Sequence, residues 1–193
     1  MGKAFAVLLL FSAVMVTTVP AVHAASEGPK EVEKWFKKLG RAKETLTKLH
    51  FYFHDLVAGK NITSVTVAKP NTTDRFPTMF GQLNVMDNPL TVGPELNSGT
   101  IGRAQGIFGS AGLEEPSLLM TMNLVFTEGK HKGSTLALLG RNVIFHQYRE
   151  MSIVGGTGVF RLARGIATAK TYSYSPNSNG AVVEYHVIAL HYN

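Results

Sequence analysis

The feature that most constrains the fold is a succession of β-prone segments that begins near Lys48 and continues almost to the C-terminus. Each segment is rich in β-branched, aromatic or alternating residues and is bounded by turn formers, for example residues 87–89 (Asp-Asn-Pro) and 155–158 (Gly-Gly-Thr-Gly). The candidate strands are residues 49–56, 64–68, 79–85, 100–108, 118–127, 134–139, 143–151, 159–171 and 181–192. Short connections favour antiparallel meander order, so the sequence predicts an all-β domain, either a closed barrel or a sandwich.

The N-terminus has the pattern of a secretory signal peptide. Lys3 precedes an apolar run over residues 4–15 that is too short to span a bilayer, and residues 22–24 (Val-His-Ala) place small residues at −3 and −1 of a cleavage site. We therefore predict a signal peptide at 1–24, a short disordered, charged arm at 25–47 with weak helical patterning from residue 32, and the β domain at 48–193. Secretion to the extracellular space follows, with no membrane anchor.

Composition excludes several functional classes. The chain has no cysteine, which excludes disulfides, thiol catalysis and thiolate metal sites. The net charge of +6 comes largely from residues 30–48, where lysines alternate with glutamates. Such a mixed run is typical of a solvated arm rather than a nucleic-acid site, although it would favour retention on an acidic matrix. Asn61 and Asn71 begin N-x-Thr sequons, which predicts exposed glycan acceptors.

One aromatic strand carries a single carboxylate at its end. With period 2, Leu49, Phe51, Phe53 and Asp55 share one face of the segment 49–56. Asp55 is then either a strand-end residue that reaches water or an acid set in an apolar cavity. In a cavity, desolvation would raise the carboxyl pKa and make Asp55 a candidate proton donor.

A second segment places small residues on one face. Along residues 159–171, this face consists of Arg161, Ala163, Gly165, Ala167, Ala169 and Thr171. Small interior residues leave volume in front of them, which is either a ligand cavity or space that bulky side chains from across the barrel fill. The sequence leaves both alternatives open.

Metal and nucleophile motifs are not evident. His50 and His54 lie about 13 Å apart on one strand, which is too far for one ion. His186 and His191 point to opposite faces, and no carboxylate cluster accompanies these histidines in the sequence. No G-x-S-x-G elbow is present. We therefore expect no metal, and the polar residues that remain on apolar strands are Asp55, Asn142, Arg149 and Thr171.

Five ordered motifs resemble those of plant dirigent proteins. They are HFYFHD at 50–55, GRAQG at 102–106, LVF at 124–126, REMSIVGGTG at 149–158 and Ala-Arg-Gly at 163–165. The resemblance implies an eight-stranded antiparallel β-barrel with a central ligand cavity, a homotrimer, glycosylation, secretion to the apoplast and no cofactor. It also implies a phenolic small-molecule substrate or radical, with a separate laccase or peroxidase as oxidant.

The resemblance further implies roles for individual residues. Asp55 and Arg149 match the catalytic acid and the cavity arginine of the family. The expected substrate-binding residues are Phe51, Phe53, Phe108, Asn142 and Thr171. In this interpretation the protein holds phenoxy radicals so that their coupling is stereoselective, as in lignan formation, without an oxidative centre of its own.

One departure from the lignan-forming pattern indicates a subgroup. Those proteins carry a Gly-Ala-Asp-Pro segment, whereas this chain has Gly-Arg-Asn-Val at 140–143, so Asn142 replaces a second acid. Residues 127–129 and 138–142 resemble the subgroup that includes pterocarpan synthases, which remove water from an isoflavanol. Isoflavanol dehydration with Asp55 as general acid is therefore the alternative function. A cell-wall binding protein without chemistry is the third.

Overall fold

The computed structural model describes residues 27–176 and 180–192. Its regular elements are α1 (Pro29–Lys38), β1 (Glu44–Asp55), β2 (Ser64–Ala68), β3 (Leu83–Thr91), β4 (Thr100–Ser110), β5 (Ser117–Phe126), β6 (Thr135–Val143), β7 (Arg149–Thr157), β8 (Arg164–Ser175) and β9 (Gly180–Tyr192). The segment 1–24, assigned above to a signal peptide, lies outside the described residues. Within the described part, no helix is long and apolar enough to cross a membrane.

Eight of the strands form a closed antiparallel barrel. Their order around the ring is β1-β9-β8-β7-β6-β5-β4-β3, and pairing between β1 and β3 closes it. That closing contact is short, with Tyr52 opposite Thr91 and Phe53 opposite Leu90. β2 pairs with β3 beside this closure. The prediction of an eight-stranded antiparallel barrel is confirmed.

The strand β3 exchanges partners where the barrel closes. Its first half pairs with β2, with Ser64 opposite Met86, and its end pairs with β1. Residues 87–89, which the sequence indicates as a turn, lie instead inside β3. Pro89 carries no backbone N–H, and the place between two successive partners is one where a strand tolerates it. The end of β1 and the start of β2 therefore meet beside the middle of β3.

Two strand boundaries differ from the prediction because glycines lie inside a strand. β7 runs through Gly155 and Gly156, and the chain turns only at Gly158, whose φ is +63°. At Gly156, a Cβ atom would lie 2.6 Å from the carbonyl oxygen of Thr135, so the close approach of two strands requires glycine there. β8 accordingly begins at Arg164 rather than at residue 159.

The N-terminal arm is more ordered than the sequence indicates. Residues 44–47 belong to β1, and the arm contains helix α1. Pro29 at the helix start, and an ion pair of 2.8 Å between Lys37 and Glu33, favour this helix. The guanidinium carbon of Arg161 lies 5.4 Å from the centroid of the Trp35 ring, so a cation–π contact joins the helix to the barrel.

The barrel interior is packed at one end and hollow at the other. Ala167 lies between Met151 and Val187 on the neighbouring strands, and Ala169 lies between Arg149 and Tyr185. The small face of β8 therefore receives bulky neighbours along most of its length. The open space remains at the end of the barrel that contains Asp55. The small residues of β8 therefore face bulky side chains over most of the strand and a ligand-sized cavity at one end.

The close approach of β8 and β9 at Gly165 predicts a large stability effect. A Cβ atom at Gly165 would lie 2.0 Å from the carbonyl oxygen of Ile188, whereas one at Gly155 would meet nothing within 4 Å. We expect Gly165→Ala to lower the free energy of unfolding by about 1–3 kcal/mol or more, and Gly155→Ala to leave it nearly unchanged. Thermal and urea unfolding of the two variants measure this, and equal effects would contradict the assigned register of β8 and β9.

Candidate functional site

The hollow end of the barrel is a cavity of about 770 Å³. Seven strands and the loop over residues 144–148 contribute to its wall. Its apolar wall includes Phe53, Phe108, Leu118, Met120, Ile144, Phe145, Ala181, Val183 and the ring of Tyr185. Its polar residues include Asp55, Asn142, His146, Arg149, Lys170 and Thr171. This volume lies within the range of small-molecule sites and suits an aromatic ligand with a few polar groups.

The structure brings six of the seven residues expected to react with or bind a substrate into this one cavity. Those that line it are Phe53, Asp55, Phe108, Asn142, Arg149 and Thr171. Phe51 does not line it. Its side chain is fully buried in the core and stacks on Tyr185 with the ring centroids 5.5 Å apart. The period of the strand placed Phe51 on the interior face, but it could not show at which depth the cavity ends.

Asp55 is held at the barrel closure by two hydrogen bonds to one oxygen. The Ser64 hydroxyl donates to Asp55 Oδ1 at 2.5 Å, and Asn88 Nδ2 donates to the same oxygen at 3.2 Å. Asn88 is fully buried, and its own Oδ1 accepts a hydrogen bond from the Thr63 hydroxyl at 2.5 Å. The exchange of partners along β3 is what brings these residues from three strands together.

Burial is the main influence on the Asp55 carboxyl. It raises the carboxyl pKa above its ordinary value of 3.8, while the hydrogen bonds from Ser64 and Asn88 oppose that rise. Among the described residues, no ion pair joins Asp55 to Arg149. The carboxyl is thus in an environment that favours the neutral acid, and it is not held ionised by a neighbouring cation.

Arg149 is fixed by neutral partners instead. Its Nε donates to Asn142 Oδ1 at 3.1 Å, and its Nη1 donates to the Thr171 hydroxyl at 2.9 Å and to the His146 carbonyl at 3.3 Å. Only 5% of Arg149 is exposed. Burial lowers the pKa of the guanidinium, yet a guanidinium in a protein stays protonated. Arg149 is therefore a fixed cation in the cavity wall that neutral groups orient.

Tyr185 is a cavity residue that the sequence reasoning missed. Burial raises the pKa of its phenol, the Asp55 charge raises it further, and the Arg149 cation lowers it. The pKa of the Tyr185 phenol therefore responds to the charges of both Asp55 and Arg149. Its alternation with Val183 and Val187 along β9 was a usable signal, because all three lie on the interior face.

Ser64 and Asn88 were also missed, since their roles depend on strand register. In the sequence, Ser64 directly follows the Asn61 sequon and Asn88 lies within a run that indicates a turn. Asn61 and Asn71 are both exposed, so each side chain is accessible as its sequon requires. Glycosylation at these two positions stays a prediction.

The pKa shift of Asp55 predicts a stability effect. Because the folded protein binds this proton more tightly than the unfolded chain does, the stability of the native state falls as the pH rises through the folded-state pKa. We expect Asp55→Asn, which can accept the same two hydrogen bonds, to raise the Tm at neutral pH. The difference should disappear as the pH falls toward 3.8. Calorimetry over this pH range measures it, and a lower Tm for the variant at neutral pH would contradict the shift.

The fold and site define a class: an antiparallel eight-stranded barrel that carries an acid and a cation in an aromatic cavity. The family model for dirigent-like proteins matches residues 46–190, so the chain belongs to the dirigent family. This result confirms the resemblance noted in the motifs.

The relatives that this chain resembles include proteins named as dirigent proteins and proteins named as pterocarpan synthases. The chain is 51% identical over 152 residues to Dirigent protein 21 of Arabidopsis thaliana, covering 79% of this chain and 80% of that protein. It is 43% identical over 189 residues to Pterocarpan synthase 1 of Glycyrrhiza echinata, covering 97% of both. A solved structure of a pterocarpan synthase dirigent protein aligns with TM-score 0.73 and 47% identity, over 78% of this chain and 87% of that one.

Proposed function

We propose that the cavity binds a phenolic reactant and that Asp55 acts as a general acid in the loss of water from an isoflavanol. The observation that carries this proposal is the placement of Asp55 in an apolar cavity without a salt-bridge partner among the described residues. Such a carboxyl can hold a proton at a pH where an exposed carboxyl cannot. Similarity to proteins named pterocarpan synthases supports the same reaction.

The proposed reaction assigns a separate task to each polar group. Oδ1 of Asp55 accepts both protein hydrogen bonds, so we assign proton transfer to Oδ2. Asp55 protonates the leaving hydroxyl, water departs, and the electron-poor carbon is attacked by a phenol of the same molecule. The phenol proton returns to the Asp55 carboxylate, so the acid is regenerated and atoms balance.

Arg149 serves as the anchor for a substrate oxygen. Its Nε and Nη1 are occupied by Asn142, His146 and Thr171, which leaves Nη2 as the group we assign to substrate. A fixed cation there stabilises the negative charge that develops on the attacking phenolic oxygen as its proton passes to Asp55. The aromatic wall orients the rings and excludes water, which is the basis for selecting one product face.

A second candidate is stereoselective coupling of phenoxy radicals supplied by a separate laccase or peroxidase. The observation that favours it is the volume of about 770 Å³ with mainly apolar walls, which accommodates more than one phenolic ring. In that reaction the protein contributes orientation, and Asp55 assists a later ring closure. A secreted, apoplastic, homotrimeric and glycosylated protein remains our expectation for either reaction.

The decisive experiment separates the two candidates by their need for an oxidant. The purified protein alone is incubated with an isoflavanol, and phenolic monomers are incubated with laccase in the presence and absence of the protein. Chiral chromatography then measures product and enantiomeric excess. Pterocarpan formation without oxidant supports dehydration, whereas stereoselective products only with laccase support coupling. If the protein changes the products of none of these phenolic compounds, and none of them shifts its Tm, the third candidate, a cell-wall binding protein without this chemistry, is supported.

A further inference from the structure

The outer wall of the barrel carries a cluster of two imidazoles and one carboxylate. His50 on β1 is the cross-strand neighbour of His186 on β9, and Glu184 lies two residues before His186 on the same face. The histidine spacing along each strand did not reveal this cluster, because the register between β1 and β9 is what brings the three together. The prediction of no metal was made from the histidine spacing along each strand and did not take this cross-strand arrangement into account.

The ligand atoms of the three side chains converge. His50 Nε2 lies 2.8 Å from Glu184 Oε1, and His186 Nε2 lies 3.4 Å from the same oxygen. All three donor atoms fall within 4.8 Å of one another. Glu184 is the most enclosed of the three, with 21% of its side chain exposed, whereas His50 and His186 are 45% and 60% exposed. Solvent can therefore reach the cluster.

We propose that His50, Glu184 and His186 form a binding site for a divalent transition-metal ion such as Zn²⁺. Neutral imidazole and carboxylate are the ligand types that this class of ion prefers, and Cu²⁺ would compete for the same donors. Ligand atoms around a tetrahedral Zn²⁺ ion with bonds of about 2.0–2.2 Å lie roughly 3.3–3.6 Å apart. The 3.4 Å separation between His186 and Glu184 lies within that range, and the 2.8 Å separation between His50 and Glu184 is shorter, so His50 must move slightly away from the carboxylate to bind the ion. Three protein ligands leave a fourth position for water.

Binding requires a small movement of the two rings. The His50 and His186 rings are stacked, with centroids 4.4 Å apart and an angle of 18° between their planes. A metal ion lies in the plane of each imidazole it binds, so the rings must tilt toward each other. Both side chains are exposed on strands, so solvent leaves room for their χ2 torsions to change. Tyr52 packs beside His50 with ring centroids 5.4 Å apart and limits rotation on that side.

A second histidine–carboxylate pair provides a matched control. His146 Nε2 lies 3.0 Å from Glu115 Oε1, and both side chains are exposed. The same carboxylate binds Arg141 at 2.6 Å rather than a second imidazole. This pair has the same local chemistry as His50 with Glu184 but supplies only two ligands and a competing cation. It should not hold Zn²⁺.

The test is isothermal titration of tag-free full-length protein with ZnCl₂ at neutral pH, since a polyhistidine tag would itself bind the metal. We expect one Zn²⁺ per chain. His50→Gln and His186→Gln each retain a side-chain N–H donor for Glu184, so folding is preserved while a ligand is lost. Each should weaken binding by at least the roughly tenfold cost that loss of even an outer-shell partner carries. His146→Gln should leave the affinity unchanged.

Thermal unfolding gives an independent measurement. Zn²⁺ should raise the Tm of the unsubstituted protein and of His146→Gln, but not of His50→Gln or His186→Gln. The three variants should have the same Tm without metal if folding is unaffected. The proposal is overturned if the unsubstituted protein shows no saturable binding, or if the affinity of both cluster variants equals that of His146→Gln. The outcome is independent of the reaction in the cavity.

Discussion

Asp55→Asn is expected to lower the rate of isoflavanol dehydration by about 10²–10⁴-fold, the contribution of a positioned general acid. The amide has nearly the shape of the carboxyl and can accept the hydrogen bonds from Ser64 and Asn88, so the cavity should keep its geometry. It cannot deliver a proton to the leaving hydroxyl. If the physiological reaction is radical coupling, the expected result is loss of enantiomeric excess in the coupled product.

A second Asp→Asn substitution serves as the control. Asp87 is an exposed carboxylate on the outer face of β3, where it forms an ion pair of 2.5 Å with Arg103. Asp87→Asn removes one carboxylate from the strand next to β1 without changing the cavity. It should retain the full rate and selectivity. Unchanged rate and selectivity in Asp55→Asn, measured by chiral chromatography under saturating substrate, would remove Asp55 from the chemistry.

The strands could be predicted because strand periodicity is a local property, whereas the choice of a barrel over a sandwich came from the resemblance of the motifs to a known family. The structure places Phe53 and Asp55 on the cavity side and Tyr52 on the other side as that period requires, although His54, on the same face as Tyr52, is buried and bonded to Thr91. The boundaries near Gly156 could not be predicted in the same way. Glycine is there because two strands approach closely, and the sequence shows a turn former without showing its neighbour.

The candidate site shows the same contrast between residues that a local pattern reveals and residues whose role depends on strand register. Asp55, Asn142, Arg149 and Thr171 stand out in the sequence as polar residues on apolar strands, and all four line one cavity. The residues that hold the acid do not stand out. Asn88 is fully buried, yet its sequence neighbours Asp87 and Pro89 are typical of a turn. Its role arises only where β3 passes from β2 to β1, which is a consequence of register.

Asn88→Asp should produce the other large effect, an upward shift in the pH dependence of activity. Asn88 Nδ2 lies 3.2 Å from Asp55 Oδ1, so the substitution replaces a donor by a second acid within contact of the first. Two carboxyl groups at this separation cannot both ionise easily, and loss of the donor also disfavours the Asp55 carboxylate. Both effects raise the pKa of the pair, so one proton is retained to higher pH.

The sign of this shift follows from the role of Asp55. Activity that needs the neutral acid falls as the pH rises through the Asp55 pKa, and in Asn88→Asp that decline should occur at higher pH. Carboxyl ¹³C NMR titration should show the same displacement in protein without substrate. The variant should also lose stability as the pH rises, because its buried acid pair is neutral or singly charged only at lower pH.

Asn84→Asp separates this specific coupling from the general effect of a buried carboxyl. Asn84 is also buried on the interior face of β3, and it accepts hydrogen bonds from Thr66 and Gln82. It lies four residues from Asn88, about 13 Å along the strand. Asn84→Asp should therefore lower the free energy of unfolding at neutral pH without moving the pH–rate profile. An equal displacement in Asn84→Asp, or none in Asn88→Asp, would mean that Asn88 does not control the proton on Asp55.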